Sequence, residues 1–327
     1  MISVIIPVYN SSQTLSDCLD GVFSNKFENF EVIIVDDKST DNSIEIAKNY
    51  ECKIIELNEN KGPAVVRNTG ANSASGDILL FVDSDVILKD NALINVDRLY
   101  KNDDKNVLQG IYSHEPDYNN ITTQYQQSFY CYYTWKNKEK YTETLTSMCF
   151  AIKKFFFIES GGFNENIKKA TAEDEEFGYN LINKNYKLLI CRELSVEHKV
   201  NYNLQTFIKR AFKMNIDTMR SFLRNKTYIK KVKQKNYKNV LIGIVLLGLI
   251  TLSLLANILY ANNINFYIFC ILNLIFLSLH LGFFKFIKDS KGLLKTCKII
   301  PICYIDGLIM LLASVYGAIT YIFGKKY

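Results

Sequence analysis

Ile78-Leu79-Leu80-Phe81-Val82-Asp83-Ser84-Asp85 decides how this chain is read. The five apolar residues have the length of a buried strand, and the turn after them offers two carboxylates one residue apart. Such a pair can share one divalent cation. An oxygen-ligated Mg²⁺ or Mn²⁺ keeps waters and takes its remaining ligands from phosphates, so the triplet suggests a phosphate-rich ligand more than a closed cage of side chains. By itself a D-x-D also reads as a solvated turn. Its surroundings decide between the two.

Working outward, Ser3-Val4-Ile5-Ile6-Pro7-Val8-Tyr9-Asn10 reads as another buried strand ending in a turn, and no charged leader or cleavage site precedes it. Val32-Ile33-Ile34-Val35 runs into Asp36-Asp37-Lys38-Ser39-Thr40-Asp41, and Lys53-Ile54-Ile55-Glu56-Leu57 runs into Asn58 to Gly62. Between them Leu15 to Phe23, Ser43 to Tyr50 and Ala64 to Ala74 carry apolar residues at helical spacing. Strand and helix therefore alternate as a parallel α/β sheet requires. Ligands of such sheets bind beyond the carboxyl ends of the strands, and Pro7 to Asn10, Asp36-Asp37, Lys61-Gly62 and Asp83-Ser84-Asp85 all fall on that edge.

In order and spacing these four motifs, the third extending as Lys61-Gly62-Pro63-Ala64-Val65-Val66-Arg67-Asn68-Thr69-Gly70-Ala71, resemble glycosyltransferase family 2, the inverting enzymes of GT-A fold. The resemblance implies a GT-A catalytic domain with a Rossmann-like, mostly parallel sheet over residues 1–225. It implies that Pro7 and Tyr9 line a nucleobase pocket, that Asp37 accepts a hydrogen bond from the base, and that Arg67 faces the diphosphate or sugar of a nucleotide-sugar donor, with Lys61 a further residue of the donor site. Asp85 would be the main ligand of a Mn²⁺ or Mg²⁺ ion, and Asp83 would approach the ribose or a metal-bound water. Asp36 and Asp41 read equally as a turn residue and a helix cap before Ile44.

The likeness continues through Gly161-Gly162-Phe163 to Glu173-Asp174-Glu175-Glu176, where it makes Asp174 the catalytic base. A sugar hydroxyl must lose its proton as it attacks an anomeric carbon, and a carboxylate can take it. Helix capping by Thr171 and the preference of acids for a helix N-terminus account for Glu173, Glu175 and Glu176 without catalysis. His198, in Val196-Glu197-His198-Lys199, matches a third metal ligand of some family members, although a lone His after a strand is more often packed in place. His114 and His280 have no partner pattern. Tyr125, Phe129, Tyr130, Tyr132, Tyr133 and Trp135 read as packing more than as a sugar platform.

Past residue 218 the composition changes. Arg220, Arg224, Lys226, Lys230, Lys231, Lys233, Lys235 and Lys238 run without an acid between them, and long apolar segments at 240–260, 264–284 and 299–323 follow. Each is about as long as a bilayer is thick, so residues 226–327 read as a basic juxtamembrane segment and about three transmembrane helices. Ala261-Asn262-Asn263 carries no charge, whereas the second connection holds Lys285, Lys288, Lys291, Lys295 and Lys298 around Asp289. The positive-inside rule then sets the catalytic domain on the cytoplasmic side of a multi-pass cell-membrane protein, with Lys325-Lys326-Tyr327 outside as a mild conflict. The net charge of +6 is explained by anionic lipid, at ~1 kcal/mol per basic residue near the surface, and not by nucleic acid. Asp306, the one acid within these segments, would be satisfied by water or Tyr304. The eight cysteines form no C-x-x-C, which argues for reduced thiols and against zinc.

The expectation is a metal-dependent glycosyltransferase that passes a sugar to a hydroxyl of a lipid or lipid-linked saccharide partner, in cell-surface glycan or glycolipid synthesis. The alternative is a polyprenyl-phosphate glycosyltransferase. Its phosphate acceptor needs no base and would be repelled by Glu173 to Glu176, and Val86-Ile87-Leu88-Lys89-Asp90 lacks the His-Pro-type sequence usual there. Gln205-Thr206-Phe207-Ile208-Lys209-Arg210 lacks the Trp of the processive Q-x-x-R-W motif. A sugar nucleotidyltransferase should carry a Gly-rich, Arg-containing loop where this chain has Val8-Tyr9-Asn10-Ser11. An inactive scaffold would not be expected to retain Asp85, Arg67 and Asp174.

Overall fold

The structure is a computed structural model of the 327-residue chain, described for all residues except 103–105, 115, 117, 137–140, 143, 168–172, 225–234, 261–262 and 325–327. Two compact units emerge: Met1–Pro116 with Lys138–Val200, and Asp117–Asn137 with Asn201–Tyr327.

The first unit begins β1 (Ile2–Val8), α1 (Leu15–Phe23), β2 (Phe30–Asp36), α2 (Ser43–Ala47), β3 (Lys53–Glu56), α3 (Pro63–Ser73) and β4 (Ile78–Val82). It continues with β5 (Val86–Leu88), α4 (Ala92–Asn102) and β6 (Asn106–Tyr112). After α5 (Ile121–Lys136), which belongs to the second unit, come β7 (Tyr141–Thr142), β8 (Cys149–Lys153), α6 (Lys154–Ser160), α7 (Glu173–Asn183) and β9 (Lys187–His198).

All nine strands join one sheet in the order β3-β2-β1-β4-β8-β6-β9-β5, with β7 beside β9. Ile2, Val4, Ile5 and Ile6 of β1 and Leu79, Leu80 and Phe81 of β4 are wholly buried, as strands covered on both faces should be. The sheet is less parallel than the sequence suggests. Pairings β1–β2, β1–β4, β2–β3 and β6–β9 are parallel, whereas β4–β8, β5–β9, β6–β8 and β7–β9 are antiparallel. Only Asp83-Ser84-Asp85 separates β4 from β5, too short for the crossover of about a dozen residues that a parallel neighbour needs, and β5 pairs with β9 at the far end of the sheet.

The second unit is helical: α5, then α8 (Leu204–Arg224), α9 (Lys235–Tyr260), α10 (Asn263–Lys291) and α11 (Leu293–Ile322). Its core holds Tyr125, Tyr132, Phe207, Phe276 and Phe283. Phe129 packs on Phe283 at 5.8 Å, so these aromatic rings serve as packing. The unit starts at Asn201 and recruits α5, whereas the sequence suggests a break after 225. Hydrogen bonds explain the recruitment: Thr122 donates to the Tyr202 carbonyl, the Tyr202 N–H donates to Thr123 Oγ1 (2.7 Å), and Tyr125 Oη donates to Asp306 Oδ2 (2.8 Å). Asp306 is thus satisfied by Tyr125 and not by Tyr304, whose hydroxyl goes to Asn273 Oδ1.

Helices α10 and α11 are long and apolar enough to cross a membrane. The apolar stretch of α9 is shorter, Val245–Tyr260. Thr171, Lys226, Lys230, Lys231, Lys233, Ala261, Asn262 and the Lys325-Lys326-Tyr327 end lie outside the described residues. All eight cysteines are free thiols.

Candidate active site

Strands β1, β2 and β4 end side by side, and their loops are stitched together. Asn10, at φ 51°, accepts the Thr40 N–H on Oδ1 (2.8 Å) and donates its own N–H to Ser39 Oγ (2.9 Å). Ser11 donates its N–H to Ser43 Oγ (2.8 Å), and its hydroxyl meets that of Ser84 at 2.7 Å, which joins the β1 loop to the D-x-D turn. Tyr9 stands half exposed beyond this lattice, and Pro7 is half-buried behind it.

Asp36, Asp37 and Asp41 are the braces of the β2 loop. Asp37 is buried and accepts the Lys61 N–H on Oδ1 (2.7 Å) and the Gly62 N–H on Oδ2 (2.9 Å), which fixes the entry to α3. The Lys61 ammonium extends outward to Glu59, 3.7 Å away. Asp36 Oδ2 accepts the Ser39 N–H, while Oδ1 is buried without a hydrogen-bond partner. Asp41 accepts from Ser12 and from both the N–H and hydroxyl of Ser43. Burial would raise its pKa, but those bonds prevail and lower it to about 2. Asp36 and Asp41 thus brace the turn that leads into α2, whose N-cap position is held by Asn42 and not by Asp41.

The carboxylates of the D-x-D turn face different partners. The Asp83 N–H donates to the Met148 carbonyl at 3.0 Å, and its Oδ1 accepts Arg67 Nη2 at 2.7 Å. Burial pushes Asp83 up from the usual carboxylate value while the guanidinium pulls against it. Asp85 Oδ2 lies 3.1 Å from His198 Nε2. Register explains that meeting, because His198 pairs with Val86 across β5–β9 and the Lys199 N–H donates to the Asp85 carbonyl at 2.7 Å. Tyr112 stacks on the His198 ring at 5.4 Å and keeps it in place.

A divalent ion fits these two donors. Neighbouring ligands of an octahedral ion held at about 2.1 Å are about 3 Å apart, close to the Asp85–His198 spacing. Among the described residues no group of three or more His, Cys, Asp or Glu side chains converges to hold a metal. Such an ion would therefore rest on one carboxylate and one imidazole and complete its shell with water and phosphate oxygens, as Mg²⁺ and Mn²⁺ do.

On the other side of the edge stands Asp174, in the first turn of α7. It is half-buried; Oδ2 accepts the Ser147 N–H at 3.0 Å and Oδ1 accepts the Glu175 N–H at 2.8 Å. Burial first, and the charge of Glu173 second, push its pKa from 3.8 to about 7, against the Ser147 N–H and Arg67. A carboxyl poised near neutrality suits a general base. Arg67 does not reach outward. It is buried, donates Nη1 to Glu173 Oε1 at 3.0 Å as well as Nη2 to Asp83, and lies 5.5 Å over the Phe163 ring. Asn68 beside it exchanges hydrogen bonds with the backbone of Phe163, which is the task of Gly161-Gly162-Phe163.

Two members of the site escaped the sequence. Glu173 read as a helix-terminal acid, yet its carboxylate is the second partner of Arg67. Ser147 precedes β8, a strand whose pairing with β4 no local pattern announces.

Known proteins are similar to this chain in sequence and in fold. The sequence profile of Glycosyl transferase family 2 matches residues 3–161. Poly(ribitol-phosphate) beta-glucosyltransferase of Bacillus spizizenii is 43% identical over 101 residues, 28% of this chain and 16% of that protein. Glycosyltransferase GlyG of Streptococcus pneumoniae is 32% identical over 117 residues, 34% of this chain and 39% of that one. The chain thus spans well under half the length of these curated relatives. Among solved structures, mannosyltransferase PcManGT from Pyrobaculum calidifontis, in complex with GDP-Man and Mn²⁺, aligns with a TM-score of 0.59 at 14% identity, over 99% of this chain and 87% of that one. That likeness shows the GT-A-like mixed sheet followed by helices, and the profile match identifies residues 3–161 as a Glycosyl transferase family 2 domain.

Proposed function

We propose that this chain is a membrane-anchored, inverting glycosyltransferase that moves a sugar from a nucleoside-diphosphate donor to a hydroxyl of a lipid or lipid-linked saccharide at the cytoplasmic membrane face, in cell-surface glycan or glycolipid synthesis. The observation that carries it is Asp174, half-buried with its pKa near 7, standing on the same sheet edge as the Asp85–His198 pair. An ionised phosphate acceptor needs no base, so a poised carboxyl favours a hydroxyl. The relative that carries the name poly(ribitol-phosphate) beta-glucosyltransferase and the neighbour bound to GDP-Man and Mn²⁺ are in keeping with the donor class and with surface glycans. The apolar helices α10 and α11, and the lysines between the apolar segments, support the anchor and its orientation.

In this reading Tyr9 and Pro7 flank the nucleobase, Asp37 holds the loop that meets it, and Lys61 is within reach of the diphosphate. The acceptor hydroxyl attacks the anomeric carbon and gives its proton to Asp174 as the bond to the diphosphate oxygen breaks. The electron pair of that bond leaves with the nucleoside diphosphate, and inversion follows from the single displacement. A Mn²⁺ or Mg²⁺ ion at Asp85 and His198 would neutralise charge on the departing diphosphate.

Membranes carrying the protein, incubated with a panel of labelled nucleotide sugars, should label a lipid-extractable product with one donor. Asp85→Asn or a chelator should lower that turnover about 10³-fold, the loss expected for several kcal/mol of charge stabilisation. Full turnover of purified Asp85→Asn in excess chelator would overturn the metal-dependent mechanism.

A further inference from the structure

Arg67 sits where the acidic groups of the site meet, 4% exposed, with one carboxylate at each end of its fork. Asp83 takes Nη2 and Glu173 takes Nη1, the second contact spanning 106 residues of chain. Glu173 is also 4% exposed, and the residue after it is Asp174. Asp174 accepts the Ser147 N–H, and the carbonyl of the next residue, Met148, accepts the Asp83 N–H. The path therefore closes on itself: Asp83 to Arg67 to Glu173, along the peptide to Asp174, across to Ser147, along the peptide to Met148, and back to Asp83.

We infer that Arg67 and Glu173 are positioning residues that tie the D-x-D turn to the peptide bearing Asp174, so that the donor-binding turn and the base are held as one ring. Lysine could not do this, because a point charge cannot hold two carboxylates in the fixed fork geometry of a guanidinium. Neither residue touches the reacting atoms. Glu173 works through the orientation and ionisation of its neighbour, and Arg67 offsets the charge of both acids.

The catalytic meaning of the tie rests on Asp174 being the base, but its test does not need turnover. The charges that act on Asp174 are those of Glu173 on its own helix and Arg67 from α3, while Glu175 and, from the loop before β8, Ser147 contribute backbone N–H donors. The full chain in lipid discs is titrated by infrared difference spectroscopy, and subtraction of the Asp174→Asn spectrum isolates the Asp174 carboxyl. Glu173→Gln removes a neighbouring negative charge and should move its midpoint down by about one pH unit; Arg67→Gln should move it up by a similar amount. Opposite shifts are the signature of charges facing one carboxyl, which mere packing would not produce. An unmoved midpoint in Glu173→Gln overturns the inference, and if Arg67→Gln fails to fold that variant alone decides. Should Asp174→Asn keep full turnover, the assignment of the base fails while the titration still reports the tie.

Discussion

In the parallel half of the sheet, β3-β2-β1-β4, the acids of the loop after the buried strand β2 are braced by backbone N–H groups from adjacent loops. Asp37 takes two such donors and Asp41 takes one from Ser12 and one from Ser43. In the mixed half, β8-β6-β9-β5, the site residues meet side chains and backbone of other elements: His198 meets Asp85, and the α7 acids Asp174 and Glu173 meet Ser147 and Arg67. The first half builds a cradle from the loops after β1 and β2. The second half brings in the groups whose charge state matters for chemistry.

Asp174→Asn tests the second half most severely. With a hydroxyl acceptor the loss should fall on kcat, roughly 10²- to 10⁴-fold, with the KM for the nucleotide sugar little changed. Wild-type turnover should lose activity in acid with a midpoint near 7, where Asp174 takes up a proton. Stability should respond with the opposite sense. A carboxyl whose folded pKa lies above its unfolded value binds protons more tightly when folded, so its contribution is fullest below 3.8 and declines as pH rises to about 7. Asp174→Asn should therefore be more resistant to denaturant than wild type at pH 8, with the difference vanishing near pH 4. Unchanged turnover on the true acceptor would make Asp174 a helix-terminal acid and favour the polyprenyl-phosphate alternative.

His198→Ala addresses the same half at its other end. The imidazole is one of two donors that could hold the ion, so its loss should weaken Mn²⁺ affinity about 10- to 100-fold, read by calorimetry and by the Mn²⁺ needed for half-maximal turnover. A variant with undiminished Mn²⁺ affinity would reduce His198 to a packed ring beside Tyr112 and leave the ion to Asp85 alone.

The contrast also explains what could be read without coordinates. Strands β1, β2 and β4 contain apolar runs that end in Pro7 to Asn10, Asp36-Asp37 and Asp83-Ser84-Asp85, so periodicity and turn chemistry locate both the sheet and its edge. Past Asp85 that logic weakens. β5 has three residues and β7 two, and β9 carries Arg192, Glu193 and Glu197 among its apolar positions, so no local pattern states the pairing. Arg67 was visible as a site residue but its direction was not, since its two ion pairs reach Asp83 in the D-x-D turn and Glu173, 106 residues away in the chain. Likewise Asp306 stood out as an acid in an apolar helix, while its partner Tyr125 lies on α5, far away in sequence.

The smallest effect is expected at the turn that seats Phe163 under Arg67, and it separates two neighbouring glycines. Both have positive φ, 89° at Gly161 and 66° at Gly162. A Cβ on Gly161 would meet nothing within 4 Å, whereas one on Gly162 would lie 2.7 Å from Asn68 Oδ1, the atom that accepts the Phe163 N–H. Gly161→Ala should then cost only the backbone strain of a left-handed alanine, about 1 kcal/mol. Gly162→Ala should cost that and the Asn68 bond besides, about 2 kcal/mol in all. It should also disturb the seat of Arg67, so donor KM should rise a few-fold in Gly162→Ala and stay at the wild-type value in Gly161→Ala. Denaturant midpoints that fall equally in the two variants would show that the turn is held by its own backbone, and that Asn68 does not couple it to the arginine.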